Sequence, residues 1–175
     1  MPNWCNNQLK IIGETEELVK FDKLFKSGSR ACWFNENYQI VPHDRTPCYS
    51  FNNLRAIPWH IRFLGYSLAG YDWCCKNWDT KWDFETDSLY VQDFKSGYEE
   101  IYYEFDTPWS PPLELIRYIS EKFPKLSFVI SYYECGVWFG GENTYHNGEL
   151  VEMIEYDDEE IRAYYGYDDE EETAC

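Results

Sequence analysis

Cations are scarce in this 175-residue chain: 15 Lys and Arg stand against 32 Asp and Glu, a formal net charge of −17. A surface of that sign repels phosphate backbones and attracts basic proteins, which argues against direct duplex binding. Methionine is rarer still, with two residues, so the aromatic 20 % of the chain must supply much of the buried surface. A large ring can remove roughly 150–250 Å² from water, so a core built this way is feasible. No apolar run approaches the roughly 20 residues of a membrane-crossing helix. Nothing at Met1-Pro2-Asn3-Trp4 reads as a secretory leader. The seven cysteines are odd in number and contain no CxxC pair, which predicts free thiols in a reducing cytoplasm.

The charge is uneven. Between Glu142 and Glu172 there are 13 acidic residues and one basic one, Arg162. Most of the net charge therefore belongs to the last fifth of the chain.

Residues 3–13 alternate as a strand, with Leu9 and Ile11 on one face and Gln8, Lys10 and Ile12 on the other. A helix begins at Thr15, carries Glu16 and Glu17 in its first turn, and is striped by Leu18, Phe21, Leu24 and Phe25. Residues 30–70, broken by Pro42, Pro47 and Pro58, hold no period for long. A short helical turn is expected near Phe51–Pro58, and a small helical subdomain is the alternative to an irregular insertion. The stretch Tyr71–Asp83, with three tryptophans and Cys74-Cys75, fits neither a helix nor a strand period. Leu89–Phe94 and Glu100–Asp106 read as a hairpin turning at Ser96-Gly97. Ser110-Pro111-Pro112 predicts a hydroxyl-capped helix striped by Leu113, Ile116, Ile119 and Phe123. Leu126–Tyr132 alternates as the next strand, and Gly136–Tyr145 with Glu149–Tyr156 forms a hairpin around Asn147-Gly148. One more helical turn is expected at Asp158–Tyr165. This order predicts an α+β fold, a ferredoxin-like (split βαβ) antiparallel sheet with two helices, an irregular aromatic-rich insertion and a C-terminal β-hairpin. Residues 1–156 are read as a single domain with an insertion at about 30–86, and 157–175 as an acidic C-terminal segment.

Four ordered motifs then carry a resemblance: Met1-Pro2-Asn3-Trp4-Cys5-Asn6-Asn7, Asn77-Trp78-Asp79-Thr80-Lys81-Trp82-Asp83, Thr107-Pro108-Trp109-Ser110-Pro111-Pro112, and Glu134-Cys135-Gly136. Together they resemble the YubB-like family of ferredoxin-like proteins of bacterial plasmids and phages. That family usually has Gly where Asp79 stands and a small residue where Pro108 stands. The resemblance implies a mobile-element setting inside a bacterial cell, and no particular chemistry.

Catalytic and metal chemistry find little support. Cys74-Cys75 with Cys48, His43 or His60 lacks zinc-ligand spacing, and vicinal cysteines rarely face one ion. No cofactor or metal is expected. None of His43, His60 and His146 sits in a nucleophile motif, and Gly140-Gly141 is not a phosphate loop. Acid–base work by Asp79, Asp83 or Glu134 beside Lys81 competes with a structural ion pair. The tryptophans Trp73, Trp78, Trp82 and Trp109 read first as core over one face of the sheet.

Three functions are carried forward. The first is a non-catalytic accessory protein that binds a basic host protein, plausibly as a nucleic-acid mimic that inhibits a CRISPR or restriction system. Its contacts would be Glu149, Glu152, Glu155, Asp157, Asp158, Glu159 and Glu160, with Tyr156, Tyr164 and Tyr165 as exposed aromatic contacts. The second is a small-ligand binder or enzyme with a pocket of Trp78, Lys81, Trp82, Asp83 and Trp109. The third is a single-strand binder that stacks bases on aromatics among Arg62, Lys76 and Lys81.

Overall fold

The computed structural model describes residues 3–37, 39–40, 48–85, 87–92, 97 and 99–165. The chain runs β1 (Trp4–Ile12), α1 (Thr15–Phe25), α2 (Phe51–Leu54), α3 (Trp59–Leu64), a π-helical turn (Tyr66–Gly70) and α4 (Tyr71–Trp78). It continues as β2 (Tyr90–Val91), β3 (Glu100–Pro108), α5 (Leu113–Lys122), β4 (Ser127–Glu134), β5 (Phe139–His146), β6 (Glu149–Glu155) and α6 (Asp158–Tyr165). The six strands lie in the order β2-β3-β1-β4-β5-β6, with every pair antiparallel. The first four strands with α1 and α5 form the expected split βαβ unit, and the last hairpin extends the sheet beside β4.

Period-2 alternation places Leu9, Ile11, Ile101, Tyr103, Phe105, Phe128 and Ile130 on the face covered by helices, all buried. Phe21 and Phe25 of α1 meet Tyr103 edge-on, at 6.0 and 5.3 Å between ring centroids. Leu115, Ile116 and Ile119 of α5 fill the other half of that face. The hairpin turn is left-handed at both Asn147 (φ 49°) and Gly148 (φ 81°), the type I′ geometry that an Asn-Gly pair favours. Of the earlier hairpin, Ser96 lies outside the described residues, while Gly97 has φ 101°.

Two expectations fail. The helical turn expected near Phe51–Pro58 is present as α2, but residues 51–78 are mostly helical, as the subdomain alternative had it and not an irregular insertion. Tyr71–Trp78, which showed no regular period, is an α-helix. The π-helical turn immediately before it inserts an extra residue into the turn. The stretch read as aperiodic, Tyr71–Asp83, also runs past the end of α4 at the left-handed Asp79, so no one period covers it. Within α4 the spacing is ordinary: Cys74 and Trp78, four apart, are its buried residues. Likewise, Ser110 does not cap α5. Its hydroxyl donates to the Asp79 carbonyl instead, and the Asp79 carboxylate accepts from the Glu114 N–H at 3.0 Å. The cap of α5 comes from the end of α4.

No helix among the described residues is long and apolar enough to cross a membrane.

Candidate functional site

The residues of the expected Trp78–Asp83 pocket are split between core and surface. Trp78 is buried, its indole N–H donates to the Arg55 carbonyl at 3.1 Å, and its ring packs edge-on against Phe51 and Trp73. Asp83 is buried too. One carboxylate oxygen accepts the Ser50 hydroxyl at 2.5 Å and the other accepts the Phe51 N–H at 3.1 Å. Ser50 in turn caps α2 by accepting from Asn52 N–H. Arg30 stands 4.0 Å from Asp83, and its guanidinium also donates to the carbonyls of Asp83 and Phe84. Burial raises the Asp83 carboxyl from 3.8 to about 6, against the lowering pull of Arg30 and these hydrogen bonds. Trp78, Trp82 and Asp83 line a cavity of about 100 Å³, which does not include Lys81 or Trp109. That volume holds a few waters, not a substrate. Lys81 instead lies over the Trp109 ring at 4.4 Å, a cation–π pair at the surface.

The motifs that carry the resemblance converge on one end of the sheet. In register, Cys5 lies between Thr107 and Glu134. Asn7, wholly buried, donates to the Cys5 carbonyl, the Phe105 carbonyl and the Thr107 hydroxyl. Thr107 donates to the Ser110 carbonyl at 2.7 Å, Trp109 N–H to the Asn3 carbonyl at 2.9 Å, and Thr80 to the Pro108 carbonyl at 3.3 Å. Glu134, 1 % exposed, turns its carboxylate into its own loop and accepts the N–H groups of Gly136 and Val137 at 2.8 and 2.7 Å. A Cβ on Gly136 would stand 2.1 Å from the Asn3 side-chain nitrogen and 2.8 Å from a Glu134 carboxylate oxygen, so a larger residue there would displace both side chains. Asp79 adopts φ 62°, a left-handed conformation that glycine takes most easily. Asp79 and Glu134 act on backbone donors, and neither is joined with Lys81 in an acid–base pair.

Across the sheet's other face lies α6. Ile161 is buried, and the Tyr164 ring stacks on Tyr133 with 3.7 Å between centroids and an interplanar angle of 2°. The Tyr164 hydroxyl donates to the Asn6 side-chain carbonyl. Tyr156 stacks on the same Tyr133 at 5.1 Å. The three tyrosines expected to be exposed are therefore partly buried, because they dock α6 and its approach onto the open face. The carboxylates assigned to partner contact are exposed: Glu149, Glu152, Glu155, Asp157, Asp158, Glu159 and Glu160. The acidic residues Asp168–Glu172 lie outside the described residues.

The register adds Glu104 and Asp106, which chain order did not group with these, and sets Glu142 on the same face as both. Glu104 and Asp106 of β3 sit opposite Gln8 and Asn6, and Glu142 of β5 sits opposite Ser131, all on the helix-poor face. Period-2 alternation in β3 was the available signal for two of them. The third needed the strand order. Carboxylates on this sheet face oppose base stacking of the kind that ferredoxin-like sheets use with RNA.

Among the described residues the cysteines do not gather as a metal-binding group. Cys5, Cys32, Cys48, Cys74 and Cys75 are free thiols. Burial pushes the Cys74 thiol up to about 12, and Cys5 higher still, which keeps both unreactive. Among the described residues no three His, Cys, Asp or Glu side chains converge as metal ligands. His43 lies outside the described residues.

Comparison with known proteins agrees with the fold. No curated protein matches this chain. The crystal structure of protein api92 from Yersinia pseudotuberculosis superposes with a TM-score of 0.66 at 12 % identity, covering 90 % of this chain and 99 % of that one. At that identity the likeness concerns the fold alone. A family model described as the ferredoxin-like domain in Api92-like protein matches residues 77–175, more than half the chain. The protein thus belongs to the Api92-like family, through that ferredoxin-like domain.

Proposed function

We propose that the protein acts without catalysis, by binding a basic protein through the carboxylate surface of β6, the β6–α6 turn and α6. One observation carries this reading: all seven residues of β6 are exposed, with a glutamate at every third position and a pair of apolar side chains between. Leu150, Val151, Met153 and Ile154 are each more than 40 % exposed. A surface of apolar residues framed by charge is what a protein interface needs, the first for desolvated area and the second for register and encounter rate. Val151 has no partner across the β5–β6 register. This bulge puts Glu149 and Glu152 on the same face, about 10 Å apart at ~3.3 Å per residue.

The setting we propose is a bacterial plasmid or phage, on the strength of the YubB-like motifs. There, an acidic protein of this size can occupy a channel that its target uses for nucleic acid, as an inhibitor of a CRISPR effector or restriction enzyme would. Association should be fast and should weaken as salt rises.

The experiment is affinity capture from bacterial lysate at low and high salt, with wild type and the triple variant E149K/E152K/E155K. A basic protein should be retained at low salt, released at high salt, lost by the triple variant, and displaced by duplex DNA. Capture of no basic protein, or equal retention by the charge-reversed chain, refutes the reading. Retention without displacement by DNA refutes only the mimicry.

A further inference from the structure

Between α6 and the converging ends of β1, β3 and β4 lies a cleft of about 780 Å³, within the size range of small-molecule sites. Trp4, Tyr164 and Tyr165 line it together with Asn6, Asp106 and Glu134. Asn6 uses its amide to reach both Asp106 at 3.2 Å and Glu104 at 3.4 Å. Asp106, with Glu104 beside it through Asn6, thus gives an aromatic-walled cleft its negative charge, while the Glu134 carboxylate is turned into its own loop. Among the described residues, none of Glu104, Asp106 and Glu134 forms a salt bridge, although eight salt bridges form elsewhere.

Partly buried carboxylates ordinarily carry a cationic partner, because desolvation is otherwise uncompensated. The cost is visible at Asp106, whose carboxyl is raised by burial, lowered by the Asn6 amide, and raised again by Glu104. A positive ligand would remove it. Aromatic faces attract organic cations through the ring quadrupole, most strongly where water is excluded. A hard metal ion is not matched, since it needs several oxygens converging on one point, and no such group forms among the described residues.

We propose that this cleft binds an organic cation, an alkylammonium or guanidinium group held between Trp4, Tyr164 and Tyr165 against Asp106. The cation could come from a free amine or from a basic side chain. This goes beyond the reading above, because the cleft would take its ligand whether or not β6 carries a partner.

The test is NMR titration of the isotope-labelled protein, following the Trp4 indole and Asn6 amide signals. Three ligands are used: choline, arginine amide, and 3,3-dimethyl-1-butanol, the uncharged isostere of choline. At least one cation should give saturable shifts with a Kd of about 1 mM or tighter, and the alcohol should give none. Saturation by choline alone identifies a free alkylammonium, and saturation by arginine amide identifies a guanidinium side chain. Asp106→Asn and Trp4→Leu should each weaken binding by roughly three- to tenfold. The E149K/E152K/E155K variant should bind the cation like wild type, so this site and the β6 surface fail or stand separately. No saturation by either cation, equal binding of the alcohol, or an unaffected Asp106→Asn variant overturns the proposal.

Discussion

Replacing Asp83 with asparagine should change how stability responds to pH, and the structure gives the size of the change. The carboxyl is buried under α2 and titrates near 6 in the folded chain, against 3.8 for an unperturbed aspartate. Because its folded value is raised, the group favours folding most when protonated, below the unfolded value. That contribution is lost as pH climbs through about 6. The full difference is about 3 kcal/mol at ~1.4 kcal/mol per pH unit. Most of the loss falls between about pH 4.5 and pH 7.5, where it amounts to about 2 kcal/mol. Asparagine does not ionise, so Asp83→Asn lacks this dependence. It does weaken the Ser50 contact, at a cost of about 1 kcal/mol that pH does not alter. Urea unfolding of both proteins across that range should show the wild type losing ground to the variant by about 2 kcal/mol as pH rises. Comparison with the variant cancels the titration of the other acids. A difference that stays constant with pH would refute the argument that burial outweighs Arg30 and the Ser50 and Phe51 donors.

Asp79 tests the joint between α4 and α5. Asp79→Ala loses the Glu114 cap and keeps the left-handed strain, so urea midpoints should report a loss of about 1–2 kcal/mol. Asp79→Gly, which relieves that strain, should be about 1 kcal/mol more stable than the alanine variant. Trp78→Ala should cost roughly 3–5 kcal/mol in thermal or chemical unfolding, as expected of a buried ring. A binding defect at unchanged stability would instead return Trp78 to a ligand pocket. Lys81→Ala should remove only the surface contact with Trp109 and cost about 0.5–1 kcal/mol by the same measurement. Ile161→Ala should undock α6 before the sheet melts, which hydrogen exchange would show as lost protection at 158–165 alone.

Local chemistry made the scaffold readable in advance. Alternation at Leu9, Ile11, Ile101 and Tyr103, the α1 stripe and the Asn147-Gly148 turn each act over a few residues. They hold whatever surrounds them. The helix at Tyr71–Trp78 was hidden because the stretch read with it runs on to Asp83, past the left-handed Asp79 that ends α4, and the period must be read within α4 alone. The candidate site was less legible, for the opposite reason. Asp83 looks reactive in its own segment, yet its partners are Ser50 and Phe51, some thirty residues away. Tyr164 looks exposed on an acidic helix, yet it lies flat on Tyr133.

By itself, the sequence determined an acidic, aromatic-rich α+β domain in the order of a split βαβ unit. Those properties follow from composition and from periods of 2.0 and 3.6 residues. Only the tertiary structure decided which charges share a surface and which are cancelled. Antiparallel register brought Glu104 and Asp106 beside Asn6, and neither forms a salt bridge among the described residues. Packing buried Trp78 but only partly covered Trp73 and Trp82, left the β6 glutamates exposed, and laid α6 beside an aromatic cleft. Such groupings depend on strand order and on contacts between distant segments, because electrostatic and packing energies fall off with distance in space and not along the chain.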